Sequence, residues 1–276
     1  MTQLATTPAR LPVPRRRRRT SSMVVTALVV AVIVAIHAYA WHKTEFSLGE
    51  LVTGWHGMVD FVGDAFPPNL DWDEIVHPAI GYCLVTLSMG ILGTTFSVPF
   101  ALFLALFGSR TTQRNALVYQ TARAILSLFR AVPNFVWALV FVTAVGLGSF
   151  PGVLAILVHN IGVMGKLWSE AMEEVDEGPV EALRTAGASN VQTATHVVLP
   201  SVVPQFVSLF LYRIDVNVRD SVMLGIVGAG GIGFYLTQAI QEFNFDVMMT
   251  YILMVLVMVI AVDLLSAALR RRLGQV

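Results

Sequence analysis

The chain has 276 residues, 55% of them hydrophobic and 13% charged, and its 18 basic and 18 acidic residues cancel to a net charge of zero. A soluble domain carries about 25% charged residues, so this chain lacks the means to face water throughout, and its hydrophobicity excludes disorder. A single cysteine, Cys83, excludes a disulfide scaffold.

Residues 1–22 hold six arginines, Arg10 and Arg15 to Arg19, and no acid. Met23 to Trp41 then runs 19 residues without a charge, enough at about 1.5 Å per residue to cross a hydrocarbon core of about 30 Å. Directly before a span, the arginine run reads as an orientation signal rather than as a site for nucleic acid or anionic lipid. Ala38-Tyr39-Ala40 resembles a signal-peptide cleavage site, but the apolar run exceeds the usual length of about 7 to 15 residues, which favours a retained signal-anchor.

Residues 42–80 hold one lysine and seven acids, which places this loop outside the cell and the N-terminus in the cytoplasm. Ser47 and Glu50 have capping-box spacing, and Leu48, Leu51, Val52, Trp55, Met58, Val59 and Val62 recur with helical period. One helix lying flat on the outer face and ending before Pro67-Pro68 is expected, either a linker resting on lipid or a docking surface. Its acidic back, Glu50, Asp60 and Asp64, argues against attraction to anionic lipid.

Gly81 to Phe107 is a second span of 27 uncharged residues. Ala131 to Gly165 runs 35 residues without a charge, interrupted by Gly146, Gly148, Pro151 and Gly152, and reads as two spans joined by a tight turn. A further span covers about 202–227, apolar apart from Arg213, Asp215, Arg219 and Asp220, and Val247 to Ala268 is the last, broken only by Asp263 and closed by Arg270 to Arg272. The sum is an all-α polytopic membrane protein with six transmembrane helices and both termini in the cytoplasm. Arg110, Arg114, Arg123 and Arg130 fall inside, while the outer loop at 228–246 carries Glu242 and Asp246 and no basic residue.

Lys166 to His196 reads as the long inner loop, with six acids between Glu170 and Glu181. Pro179 to Gly187 predicts a short helix, with Pro179 in its first turn and Gly187 just past its end. A helix about 12 Å long is not stable alone, so it should dock on a partner. Ala182, Ala186 and Gly187 permit close approach, Glu181 and Arg184 offer polar contacts at the rim, and Leu199-Pro200 returns the chain to the membrane.

Each charge at mid-bilayer costs about 2.5 to 3.5 kcal/mol, so Arg213, Asp215, Arg219 and Asp220 must be paired or wet. Asp215 and Arg219 stand four apart, and Arg213 and Asn217 share roughly one helix face. A polar stripe lining a substrate path and a salt-bridge cluster joining helices or subunits both remain open. Gly228-Ala229-Gly230-Gly231-Ile232-Gly233 satisfies G-x-G-x-x-G in form, with Asp246 beyond it. A dinucleotide site, and with it a membrane-bound oxidoreductase, needs a strand before that segment and a helix after it. Between two spans, Gly228, Gly230, Gly231 and Gly233 read better as a turning or re-entrant segment. The histidines at 37, 42, 56, 77, 159 and 196 are scattered, no metal-ligand set or catalytic constellation assembles, and no G-x-x-x-x-G-K-[ST] phosphate loop occurs.

Glu181-Ala182-Leu183, three residues, Gly187, nine residues, then Val197-Val198-Leu199-Pro200 resembles the EAA loop of ABC-importer permeases, EAA-x3-G-x9-I-x-L-P, with Leu183 and Val197 as mild departures. Leu211 to Arg219, Leu224 to Gly233, Phe66-Pro67-Pro68 and Arg130-Ala131-Val132-Pro133 resemble the phosphonate branch, and the likeness runs from about 45 to 270. Val85 departs from it at a position where the resemblance leads one to expect an acid.

The resemblance implies a type I importer permease domain over 81–269 between a tail at 270–276 and the outer loop, with a coupling loop at 166–200. Glu181, Ala182, Arg184, Gly187, Leu199 and Pro200 would couple it to a separate ATPase. It also implies a homodimer in the bacterial inner membrane, two ATPase subunits carrying the ATP and magnesium, and an extracytoplasmic binding protein. No cofactor, catalytic residue or nucleic-acid partner belongs to this chain, and its remaining partner is lipid. The cargo would be a phosphonate or related phosphorus oxyanion, with phosphite, phosphate, methionine or an organosulfonate as alternatives. Arg213, Asp215, Asn217 and Arg219 are then the residues from which a path for the anion would be drawn.

Overall fold

The structure is a computed structural model that describes residues 20–272, so the arginines at 10 and 15 to 19 and the last four residues lie outside the described residues. Among the described residues there is no strand. The chain divides into two compact units, Met1–Val59 and Asp60–Val276.

In the first unit, α1 (Thr20–Lys43) is apolar on every side, and none of its described side chains is buried. A helix of that kind is solvated by lipid rather than by a protein core. Then α2 (Leu48–Thr53) ends at Gly54, and α3 (Trp55–Ala65) restarts at once across the unit boundary. The single helix expected from Leu48 to Val62 is therefore two, and the Ser47 hydroxyl makes no cap bond, so the capping box is not formed. Gly54 and Gly57 supply the weakness, since glycine is among the poorest helix formers.

The second unit is built on α4 (His77–Phe107), which starts four residues before Gly81. It is preceded by a π-helical turn, Trp72–Val76, whose first N–H groups are capped by the Asp71 carboxylate through Asp73 and Glu74. Next come α5 (Ala116–Ala131) and α6 (Asn134–Val145), bent by 85° at Val132-Pro133. Proline lacks the N–H a continuing helix needs and holds the preceding residue extended. The tight turn expected around Gly146 to Gly148 is present and leads into α7 (Ser149–Glu173). Yet α6 has 12 residues, about 18 Å, and cannot cross a core of about 30 Å by itself. Among the described residues five helices are long and apolar enough to cross, with a sixth crossing if α5 and α6 count as one broken span. The charge-free run from Ala131 concealed this break, and the amphipathic α5 was not foreseen, although Asn115 caps it by accepting from Leu117 and Val118.

The inner loop expected from Lys166 begins later, because α7 continues to Glu173. Glu170 and Glu173 find Arg123 of α5 at 3.3 and 3.1 Å, and Lys166 lies 3.4 Å from Glu170. These pairs neutralise acids that the sequence alone presents as loop polarity. After α8 (Glu177–Thr185) and α9 (Asn190–Thr193), a π-helical turn, Ala194–Val198, enters α10 (Leu199–Ile226). The chain closes with α11 (Ile232–Gln241) and α12 (Phe245–Arg272).

The core lies where α4, α7 and α10 meet. One apolar cluster at the α8 end holds Met164, Trp168, Met172, Val198 and Phe206, and another at the glycine-turn end holds Ile75, Ile232 and Tyr251. Small residues such as Ala101 and Ala105 of α4 are fully buried and let backbones approach, as membrane helix pairs require.

Candidate functional site

α8 is held by three devices. The Asp176 carboxylate accepts from the Gly178 N–H at 3.0 Å, Val180 inserts into the apolar cluster, and Arg184 donates from Nη2 to the Thr111 carbonyl at 2.8 Å. Arg184 was expected at the rim facing a partner; its guanidinium instead ties α8 to the α4–α5 connection. The opposite face, Glu181, Ala182, Thr185 and Ala186, is exposed.

Past the helix end, Gly187 has φ +86°, and its N–H and that of Ala188 bond to the carbonyls of Arg184 and Leu183. This is the left-handed closure that favours glycine. No atom lies within 4 Å of where a Gly187 Cβ would stand, so backbone angle alone demands the glycine. A cavity of about 350 Å³ lined by Leu183, Ala186, Gly187, Gln192 and His196 opens beside this corner. Leu199 is half-buried and Pro200 is exposed in the first turn of α10, the position where a missing N–H costs nothing. Arg184→Ala should loosen α8 by about 1 kcal/mol, the usual worth of such a bond. Faster cleavage at Glu177 and Glu181 by a Glu-specific protease checks this, and unchanged cleavage would refute the tether.

The glycine segment follows α10 directly, so the strand that a dinucleotide site requires is absent there. Gly228, Gly230 and Gly231 all have positive φ, and Gly233 abuts the Val222 carbonyl. The Gly148 N–H donates to the Gly228 carbonyl at 3.0 Å, and the Ile232 N–H to Thr86 Oγ1 at 2.9 Å. These bonds satisfy irregular backbone inside the protein, as membrane depth demands. The segment is a turn between α10 and α11, not a nucleotide site.

The charges of α10 separate into distinct groups. Arg213, in the middle of the helix and 7% exposed, donates from Nε to Asn160 Oδ1 and from Nη2 to Asn217 Oδ1, both at 2.8 Å. Asn217 donates on to Thr94 at 2.7 Å, and Asn160 to Ser97 at 2.6 Å. This buried network joins α4, α7 and α10, and among the described residues Arg213 makes no ion pair. Asp220 accepts from Asn134 of α6 at 2.6 Å. Arg219 pairs with Asp215 and reaches Asp263 of α12 at 3.7 Å. Sequence reasoning does not single out Asn160, Thr94, Ser97 or Asn134, and Asp263 is marked there only as the charge that breaks the last span. For Asn160 a signal existed, an amide inside a charge-free run, since polar groups in spans are costly and seldom idle.

The family of binding-protein-dependent transport system inner membrane components matches residues 97–275. The chain is 38% identical over 244 residues to the phosphite transport system permease protein PtxC of Stutzerimonas stutzeri, covering 88% of this chain and 87% of that one. It is 39% identical over 234 residues to the phosphate-import permease protein PhnE of Mycolicibacterium smegmatis, covering 84% of this chain and 43% of that one. A solved inward-facing MetNI methionine ABC transporter chain is similar at TM-score 0.61 and 25% identity, over 71% of this chain and 95% of that one. With apolar spans, an exposed short helix after α7 and no nucleotide fold at its glycines, the chain belongs to the binding-protein-dependent inner membrane components: it is a multi-pass permease subunit of an ABC importer, and ATP is hydrolysed on a separate subunit.

Proposed function

We propose that this chain is the gate of an importer for a phosphorus oxyanion such as phosphite, phosphate or a phosphonate. The observation that carries this is relatedness at 38–39% identity over more than four fifths of the chain to permeases named for phosphite and phosphate. Two copies would enclose the path, each α8 seated on one of two ATPase subunits, with a binding protein delivering the anion to the glycine-turn end. Arg110, Arg123, Lys166 and Arg184 gather at the α8 end, and the acids Asp71, Asp73, Glu74, Glu242 and Asp246 lie at or beside the glycine-turn end. That sorting supports an α8 end, and both termini, in the cytoplasm.

In this reading Glu181, Ala182 and Gly187 transmit ATPase closure, while Leu199 and Pro200 pass it into α10. Closure favours the outward-open state because the ATPases bind that state better. Glu181→Ala and Gly187→Ala should each lower uptake roughly fivefold or more, a coupling loss of about 1 kcal/mol, and reduce recovery of the ATPase with the permease. Membrane insertion of both variants should be unchanged. Full transport by both would remove the coupling role.

The cargo is tested by reconstituting permease, ATPase and binding protein and measuring uptake of phosphite, phosphate and methylphosphonate. Transport of methionine or an organosulfonate, with none of the three oxyanions carried, would overturn the oxyanion reading. Labelling single cysteines introduced at the two termini from either side of the membrane tests the orientation.

A further inference from the structure

Tyr212, Arg219, Met223 and Ile226 form one exposed stripe along α10. The Arg219 side chain is 49% exposed and Asp263, which it meets on α12, is 58% exposed, whereas Asp215 is 4% exposed. Both α10 and α12 are apolar spans. A charged side chain turned to hydrocarbon is costly, so an exposed Arg and an exposed Asp on adjoining spans face a water-accessible space.

A single nitrogen of Arg219, Nη2, takes both carboxylates. Its Nε and Nη1 hydrogen-bond nothing among the described residues, which leaves most of a planar fork of donors unspent. Asp215 engages through Oδ2 alone, and its buried Oδ1 has no donor. Arg219 is thus held by two acids and saturated by neither. Arg213 is built differently: its Nε and Nη2 are committed to amides that are themselves fully buried, and no anion reaches it without breaking that network.

Resting on the oxyanion reading above, we propose that Arg219 is the α10 residue that touches the transported anion, and that Asp215 and Asp263 are the counter-ions that retake it when the anion leaves. A tetrahedral oxyanion matches the guanidinium fork through two parallel charge-assisted bonds. The fork includes Nη2, the nitrogen that both carboxylates hold, so the anion competes with a carboxylate there, which keeps the site weak enough to pass its cargo on. Asp263 is the adjustable partner because it is exposed and, at 3.7 Å, the looser of the two.

The test uses the permease–ATPase complex with its binding protein, and uptake of phosphite, phosphate and methylphosphonate measured separately. A parent complex that carries none of them overturns the oxyanion reading and this proposal with it. Where one is carried, the triple variant Arg219→Gln, Asp215→Asn, Asp263→Asn removes all three charges together and leaves none unpaired. The expected result is a complex that still assembles, with uptake lowered roughly tenfold or more. Uptake within about twofold of the parent, or failure to assemble, would leave Arg219 a structural role only and overturn the proposal while the cargo assignment stood. Asp263→Asn alone removes one competitor, so the carried anion should bind the permease–ATPase complex roughly threefold tighter in equilibrium dialysis without the binding protein. Unchanged or weaker binding would overturn the counter-ion role.

Discussion

Asn160→Leu should destabilise the second unit by about 2 to 4 kcal/mol, because it strips a buried cation of a partner without removing the cation. Asn160 Oδ1 accepts from Arg213 Nε, and Asn160 Nδ2 donates to Ser97 at 2.6 Å. Leucine fills similar volume, so the loss is polar rather than a cavity. Adding Arg213→Met should restore part of the stability: the double variant no longer buries an unpaired charge, and the second substitution costs only the donor to Asn217 Oδ1, beyond the donor to Ser97 already lost with Asn160. Thermal unfolding in detergent and a double-mutant cycle measure both steps. A double variant less stable than Asn160→Leu would show that Arg213 stabilises the centre by itself and would refute this account.

Gly162→Val should be a damaging small change. A Cβ at Gly162 of α7 would stand 2.5 Å from the Arg130 nitrogen, 2.8 Å from the Leu126 carbonyl oxygen and 2.8 Å from the Phe129 carbonyl carbon of α5. Those atoms are backbone, so relief requires moving the whole of α5 by about 1 Å. Overpacking of this kind costs about 1 to 3 kcal/mol or more. The displacement would also strain the Arg123 pairs with Glu170 and Glu173 and the 2.9 Å contact of His159 Nδ1 with the Val132 carbonyl. Gly81→Ala is the control, since no atom lies within 4 Å of its Cβ position inside α4. It should match or exceed the parent by up to about 1 kcal/mol, the propensity difference between the two residues. Expression level and melting temperature decide, and a Gly162→Val protein as stable as Gly81→Ala would mean that α5 and α7 are not in close register.

Much of this was legible from local signals. Hydropathy marks α1, α4 and α12 because each is a long apolar run, whereas the four charges in α10 make hydropathy alone insufficient there. Pro179 and Gly187 bracket α8 because their backbone preferences hold wherever the chain goes: proline suits a first helical turn and glycine suits the left-handed closure. Charge counts on either side of the spans supply an expected orientation, since arginine and lysine near a span follow a rule that needs no tertiary contact. The misreadings share a cause. The end of α7 has the acidity of a loop in sequence, and only the fold brings Arg123 to neutralise Glu170 and Glu173. α6 has the composition of a span, and an uncharged run carries no mark of the 85° bend at Pro133.

By itself, the sequence determined that this is a helical membrane protein, that a short helix protrudes after its third long apolar run, and that four charges interrupt the penultimate span. All of these rest on interactions between near neighbours or with the solvent. Only the tertiary structure decided which of those charges are locked and which are available. Arg213 bonds an amide 53 residues away, and Asn217 a hydroxyl 123 residues away, while Arg219 meets an acid on a different helix. A polar group within a membrane must be satisfied by whatever the packing brings to it, and that partner is set by the crossing of helices rather than by spacing along the chain.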